Sequence, residues 1–119
     1  MKLTLLALAL LLPSSAWALC DDWTPLNTAM EATFVTLVVA DWGQTKEFVA
    51  KGYAEQNPFL GSHPSQQRID TLIPLAIAGQ VALACWLPAP WRDFLQALSI
   101  AVESTAVRGN LSLGFAGRF

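Results

Sequence analysis

The stretch Thr71–Leu87, TLIPLAIAGQVALACWL, decides the reading of this chain, because its seventeen residues include no charged side chain. An average soluble domain carries about a quarter of its residues as Asp, Glu, Lys or Arg. Seventeen residues are at the short limit for crossing the apolar core of a bilayer. The stretch predicts a helix, with Ser65 or Asp70 as its cap and Pro74 near its first turn. Its middle is built of small residues: Ala76, Ala78, Gly79, Ala82 and Ala84. In lipid, small residues let helices approach closely, which replaces the missing hydrophobic drive. Gln80 sits mid-span, where a buried amide hydrogen-bonds to a neighbouring helix, and Thr36, Asp41, Ser99 and Glu103 are its candidate partners.

Pro88-Ala89-Pro90 breaks the chain on the C-terminal side. A third stretch is then expected to be helical over about 91–108. Pro90 opens it, Asp93 lies in the first turn, Arg108 in the last turn, and Gly109 just beyond, which suits both the helix dipole and a glycine stop. On the N-terminal side, residues 53–68 read as a polar loop punctuated by Asn57-Pro58, Gly61 and His63-Pro64-Ser65. Before it lies a first stretch over about 28–50, preceded by Asp21, Asp22, Thr24 and Pro25. Thr33 to Val39 alone would suit a strand, since β-branched residues favour sheets. The total length and the polar positions Asp41, Gln44 and Thr45 favour a helix.

The N-terminus has the order of a secretory signal peptide: Lys2, an apolar run from Leu3 to Leu12, a Pro13-Ser14-Ser15 break and an A-x-A site at Ala16-Trp17-Ala18. The competing reading is an uncleaved membrane helix. Cys20 also raises a lipid attachment, which Leu19 and Trp17 before it disfavour. The whole chain has 119 residues, 54% hydrophobic and 13% charged, with a mean hydropathy of +0.43. Such a chain is too apolar for disorder, and a net charge of −2 without a basic patch argues against nucleic acid as a partner. Membrane lipid is the expected partner.

The expected fold is therefore all-α: a small integral-membrane bundle of three helices behind a signal peptide over residues 1–18, with residues 19–119 as one helical membrane domain. A soluble periplasmic helical bundle is the alternative, because the first and third stretches carry Glu31, Asp41 and Glu103. After export the first helix would start outside. Lys and Arg then number none outside, three inside, one outside and two inside, in the positive-inside sense. This predicts an inner-membrane protein with a periplasmic mature N-terminus and with the 53–68 loop and the C-terminus in the cytoplasm. Cys20 and Cys85 would share the outer side. A disulfide between them is one expectation, and two unpaired thiols the other.

Asp41, Gln44 and Thr45 share one helix face at i, i+3 and i+4. With Gln80 and Glu103 they make a candidate polar site. Asp41 is either an intramembrane acid or an interfacial one paired with Lys46. Glu103 would meet Asp41 across the bundle, pair with Arg108, or snorkel to the interface. Glu55, Asn57, Pro58, Gly61, His63 and Pro64 are expected to form a folded loop clasp, with Glu55 accepting backbone N–H bonds. A lone histidine makes no zinc cluster, and no nucleophile motif accompanies Ser62 or Ser65, so no catalytic residue, metal site or cofactor is assigned. The tail from Asn110 to Phe119 alternates like an outer-membrane strand, but a single strand closes no barrel, and an amphipathic tail is the simpler reading.

The run Asp41-Trp42-Gly43-Gln44-Thr45, the run Glu55-Gln56-Asn57-Pro58-Phe59-Leu60-Gly61-Ser62-His63-Pro64-Ser65 and the turn Leu87-Pro88-Ala89-Pro90-Trp91-Arg92 carry a resemblance. Together they resemble D-W-x-Q-T, E-x-N-P-x-L-G-x-H-P-S and L-P-x-x-W-R segments of small uncharacterised membrane proteins of bacteriophages, prophages and related proteobacteria. The resemblance implies an exported, helical, membrane-embedded protein and no catalytic role. Cys20 and Cys85 stand outside that pattern. The expected function is accordingly that of a phage- or prophage-encoded envelope protein, acting by helix–helix or protein–protein contact, as a homo-oligomer or with a host membrane protein. An intramembrane ion-handling protein or catalyst using Asp41 and Glu103 is the alternative.

Overall fold

A computed structural model describes residues 20–55 and 60–117. The expected signal segment over residues 1–18, Asn57 and Pro58 lie outside the described residues. Three helices follow one another: α1 (Pro25–Ala50), α2 (Gln66–Trp86) and α3 (Ala89–Ser112). There is no strand among the described residues.

Local chemistry sets each end. Thr24 and Asn27 form a reciprocal cap: the Asn27 N–H donates to Thr24 Oγ1 at 3.1 Å, and the Thr24 N–H donates to Asn27 Oδ1 at 3.0 Å. This cap starts α1 at Pro25, three residues before the expected Thr28. Ser65 caps α2 by accepting from the Arg68 N–H at 3.1 Å. The helix thus begins five residues before the expected Thr71, and Pro74 becomes an interior residue rather than a first-turn one.

The end of α3 also departs from expectation. Gly109 does not stop it; the helix runs on to Ser112, and the residue with positive φ is Gly114, at +90°. There the Gly114 N–H donates to the Leu111 carbonyl and the Phe115 N–H to that of Asn110, both at 3.0 Å. Gly52, at φ +86°, closes α1 with the same pair of bonds, to Val49 and Phe48. The tail then folds back on α1. The Phe115 ring packs against Phe48 at 5.6 Å and Tyr53 at 5.3 Å, and the Gly117 N–H donates to Glu47 Oε2 at 2.9 Å.

The three helices run up, down and up. Asn27 near the start of α1 bonds to Asp93 and Gln96 near the start of α3, while Asp41 bonds to Asn110 near its end. α1 and α3 are therefore parallel, and α2 returns between them. One end of the bundle carries the disulfide Cys20–Cys85, with Cα atoms 4.8 Å apart. The other carries the loop. An apolar cluster of Phe34, Val35, Val38 and Trp42 from α1, Ile69 and Ile73 from α2, and Leu60 fills the middle of the bundle and its loop half. At its edge Asp70 accepts from Trp42 Nε1 at 3.0 Å and pairs with Lys46.

Candidate functional polar seam

α3 is amphipathic in reverse. Arg92 and Gln96 are fully buried, and Ser99, Glu103 and Asn110 continue the same inward stripe at helical spacing. The opposite face exposes Trp91, Phe94, Leu98 and Val102. α1 answers with Asn27, Glu31 and Gln44, all buried, and with half-buried Asp41. Along α1 these polar residues fall into two groups about 15 Å apart, ten residues at 1.5 Å each.

The group near the loop joins residues singled out above. The Asp41 and Glu103 carboxyl groups face each other across the α1–α3 contact. Asn110 Nδ2 donates to Asp41 Oδ1 at 2.9 Å and to Gln44 Oε1 at 3.0 Å. Gln44 Nε2 reaches the Val107 carbonyl at 3.4 Å. Thr45 is buried one residue further on. Two carboxyl groups share a hydrogen bond only when one of them carries a proton, because ionised carboxylates are acceptors alone. Lys46 does not pair with Asp41; it sits 3.0 Å from Asp70. Glu103 lies nine residues inside the end of α3 instead of near its end, so it faces the bundle rather than snorkelling.

Part of the expected loop clasp falls within the described residues. The backbone N–H of Glu55 donates to the Ser62 carbonyl at 2.7 Å, and the Glu55 side chain lies within electrostatic reach of Asp41. Arg68 Nε holds the Leu60 carbonyl at 3.0 Å, Pro64 is buried, Gly61 takes φ +83°, and His63 is exposed.

Gln80 belongs to the second group, near the disulfide. It donates to Ser99 Oγ at 3.5 Å and lies beside Glu31. Here Asn27 Nδ2 donates to Asp93 Oδ1 and Gln96 Oε1, both at 2.8 Å. Arg92, read from sequence as an outer loop charge, is instead fully buried. Its Nε donates to the Ala84 carbonyl at 2.7 Å, and its Nη2 to those of Asp21 at 2.7 Å and Cys85 at 3.2 Å. The guanidinium thereby caps the last turn of α2, where positive charge complements the helix dipole, and stacks 5.2 Å from the Trp23 ring.

Glu31, Asn27, Gln96, Arg92 and Asn110 were thus missing from the expected site. Their signal was the helical period of the polar residues in α3, which a search for apolar periodicity passes over. No cluster of three or more His, Cys, Asp or Glu placed to hold a metal occurs among the described residues.

Known proteins give no further guide. Neither family models, curated proteins nor solved structures yield a match to this chain.

Proposed function

We propose that this chain is a three-helix protein of the bacterial inner membrane that acts without catalysis, through helix–helix contact with itself or with another membrane protein. The inverted amphipathicity of α3 carries this reading. In water, burying Arg92 and Gln96 while exposing Trp91, Phe94, Leu98 and Val102 works against the hydrophobic effect. In lipid the same distribution is favourable, because polar side chains must find partners inside the bundle.

Further features agree. α2 is the one described helix long and apolar enough to cross a membrane, and only 11% of its 18-residue apolar window is buried. A core helix of a soluble bundle would be mostly buried. Exposed Thr33, Thr36, Thr71 and Thr105 each donate the hydroxyl to the carbonyl four residues earlier, at 2.7–2.9 Å. Their methyl groups are left as the outer surface, as suits helices in lipid. Trp86 and Trp91 are exposed at the disulfide end, where indole rings meet a membrane interface. The loop end holds Lys46, Lys51, Arg68 and Arg108, the sense expected of a cytoplasmic side. The resemblance to phage and prophage membrane proteins points the same way.

Alkaline carbonate extraction should leave the protein in the membrane pellet. Reporters placed beside Gly61 and after Phe119 should be active only in the cytoplasmic form; a periplasm-only reporter active at Gly61 would overturn the orientation. For the contact surface, Gly79 is the test position. Gly79 is exposed and a Cβ there would meet nothing within 4 Å, so an added side chain starts into open space outside the bundle. Gly79→Leu with Ala82→Leu should abolish self-association in a membrane two-hybrid assay, and an unchanged signal would remove α2 as the contact face.

A second reading is favoured by the Asp41–Glu103 contact: a group that shares a proton inside a membrane bundle can pass one on. Proteoliposomes with an enclosed pH dye would then show proton entry that Asp41→Asn abolishes. Equal traces for both proteins would exclude it.

A further inference from the structure

The polar group near the disulfide holds a buried carboxyl group whose oxygens meet no donor in hydrogen-bonding geometry. Glu31 is 2% exposed, and neither carboxylate oxygen has a hydrogen-bond partner. Its polar neighbours are the amides of Gln80 from α2 and Gln96 from α3. Gln96 is partly engaged: its Oε1 accepts from Asn27 Nδ2 at 2.8 Å, and one Nε2 hydrogen goes to the Asn27 carbonyl at 3.1 Å. Gln80 donates to Ser99 at 3.5 Å, and its Oε1 is a third buried acceptor without a donor. Arg92 is the one cation in this half of the bundle among the described residues; its Nε and Nη2 donate to backbone carbonyls, and its buried Nη1 has no partner either.

What these three oxygens lack is a partner. We propose that Glu31, Gln80 and Ser99 form an oxygen-donor site for a small monovalent cation, sodium or lithium, where the three helices meet. Carboxylate, amide carbonyl and hydroxyl oxygens are hard ligands suited to such an ion, and that hardness disfavours thiophilic metals. One carboxylate balances one positive charge, whereas a divalent ion is held by more acidic ligands. A single ion would give a partner to all three orphaned oxygens at once, and burial makes that partner valuable. The site lies about 15 Å from the Asp41–Glu103 contact along α1, so it stands or falls independently of proton entry there.

The test uses the purified full chain in detergent with an apolar carbodiimide, which adds to a protonated carboxyl group in apolar surroundings. Proton and cation compete for the same carboxylate. In choline chloride the peptide bearing Glu31 should be labelled. Sodium or lithium at about ten times the dissociation constant should slow that labelling about tenfold. Glu31→Gln should remove both the label and the sodium effect, while label at Glu103 persists. If that variant fails to fold, Gln80→Leu serves instead: Glu31 should still be labelled, with sodium protection moved to higher concentration. Labelling equal in sodium and choline would overturn the proposal. So would a Glu31 that is unlabelled in either salt, since its carboxylate would then have a donor within the protein.

Discussion

α1 meets its two neighbours through opposite chemistries. Against α2 it presents Phe34, Val35, Val38 and Trp42, packed on Ile69 and Ile73. Against α3 it presents Asn27, Glu31, Asp41 and Gln44, bonded to or facing Gln96, Glu103 and Asn110. The apolar contact tolerates sliding, because dispersion has no direction. The polar contact does not, because Asn27 with Gln96 at one end and Asp41 with Asn110 at the other fix the register twice. Packing holds α1 to α2, and hydrogen bonding aligns α1 with α3. The apolar cluster also runs from the middle of the bundle toward the loop. At the far end, α1 and α2 are joined by the disulfide and the Arg92 clasp.

Removing that far-end join should have the largest effect. The Cys20–Cys85 bridge closes a segment of 65 residues. By loop-closure entropy such a link contributes about 4 kcal/mol. Cys20→Ser should lower stability by about that amount and expose the amides of Trp23 to Met30 to hydrogen exchange. The loop half should keep its protection, since the apolar cluster does not depend on the bridge. Loss of protection throughout would show that the two halves unfold as one.

Phe34→Ala attacks the apolar side directly. Deleting a buried Phe costs about 3 kcal/mol or slightly more. It should act on the α1–α2 contact alone, leaving the Gln44–Asn110 bond intact. The measurement is reversible unfolding in detergent, with a disulfide engineered between α1 and α3 to test whether their register survives. Failure of that cross-link to form in the variant would mean that apolar packing, too, sets register.

These two sides were unequally legible in the sequence. The number and order of helices followed from the charge-free Thr71–Leu87 run and from the Pro88-Ala89-Pro90 break. An all-α chain was therefore readable. The helix ends were less so. Gly109 has the composition of a stop, yet it continues the helix, because a glycine ends a helix only where the chain turns to positive φ, and that turn occurs at Gly114. Asp41, Gln44 and Glu103 were found because they interrupt apolar stretches. Arg92 and Glu31 were misplaced because each sits near a helix end, where a charge is ordinarily solvated. Only the three-dimensional approach of Asp21, Ala84 and Cys85 carbonyls makes Arg92 an interior residue.

The polar side can be tested by a cycle. Gln96→Leu removes both bonds between Asn27 and the Gln96 amide, leaving Asp93 as the interhelical partner of Asn27, and should cost about 1–2 kcal/mol. Asn27→Leu alone removes both the helix cap and the interhelical bonds, so it should cost more. The double variant should recover part of the loss, because no buried donor is then left unpaired. Perfect additivity would mean that the two residues do not interact, and the polar seam would lose its role in alignment.

The smallest effect is expected at Gly114, and it separates contact from chain conformation. Gly114 sits at φ +90°, which an L side chain rarely adopts, while a Cβ there would meet nothing within 4 Å. Gly114→Ala should therefore cost about 1 kcal/mol through backbone strain alone. The strain falls on the turn that returns Phe115 to Phe48, so the tail should loosen first and fluorescence of a probe on Ala116 should report it. Gly109→Ala is the control: it lies in helical conformation, is open on the outside, and should be neutral or stabilising. Opposite signs at two glycines five residues apart would show that α3 ends where the backbone turns rather than where composition suggests.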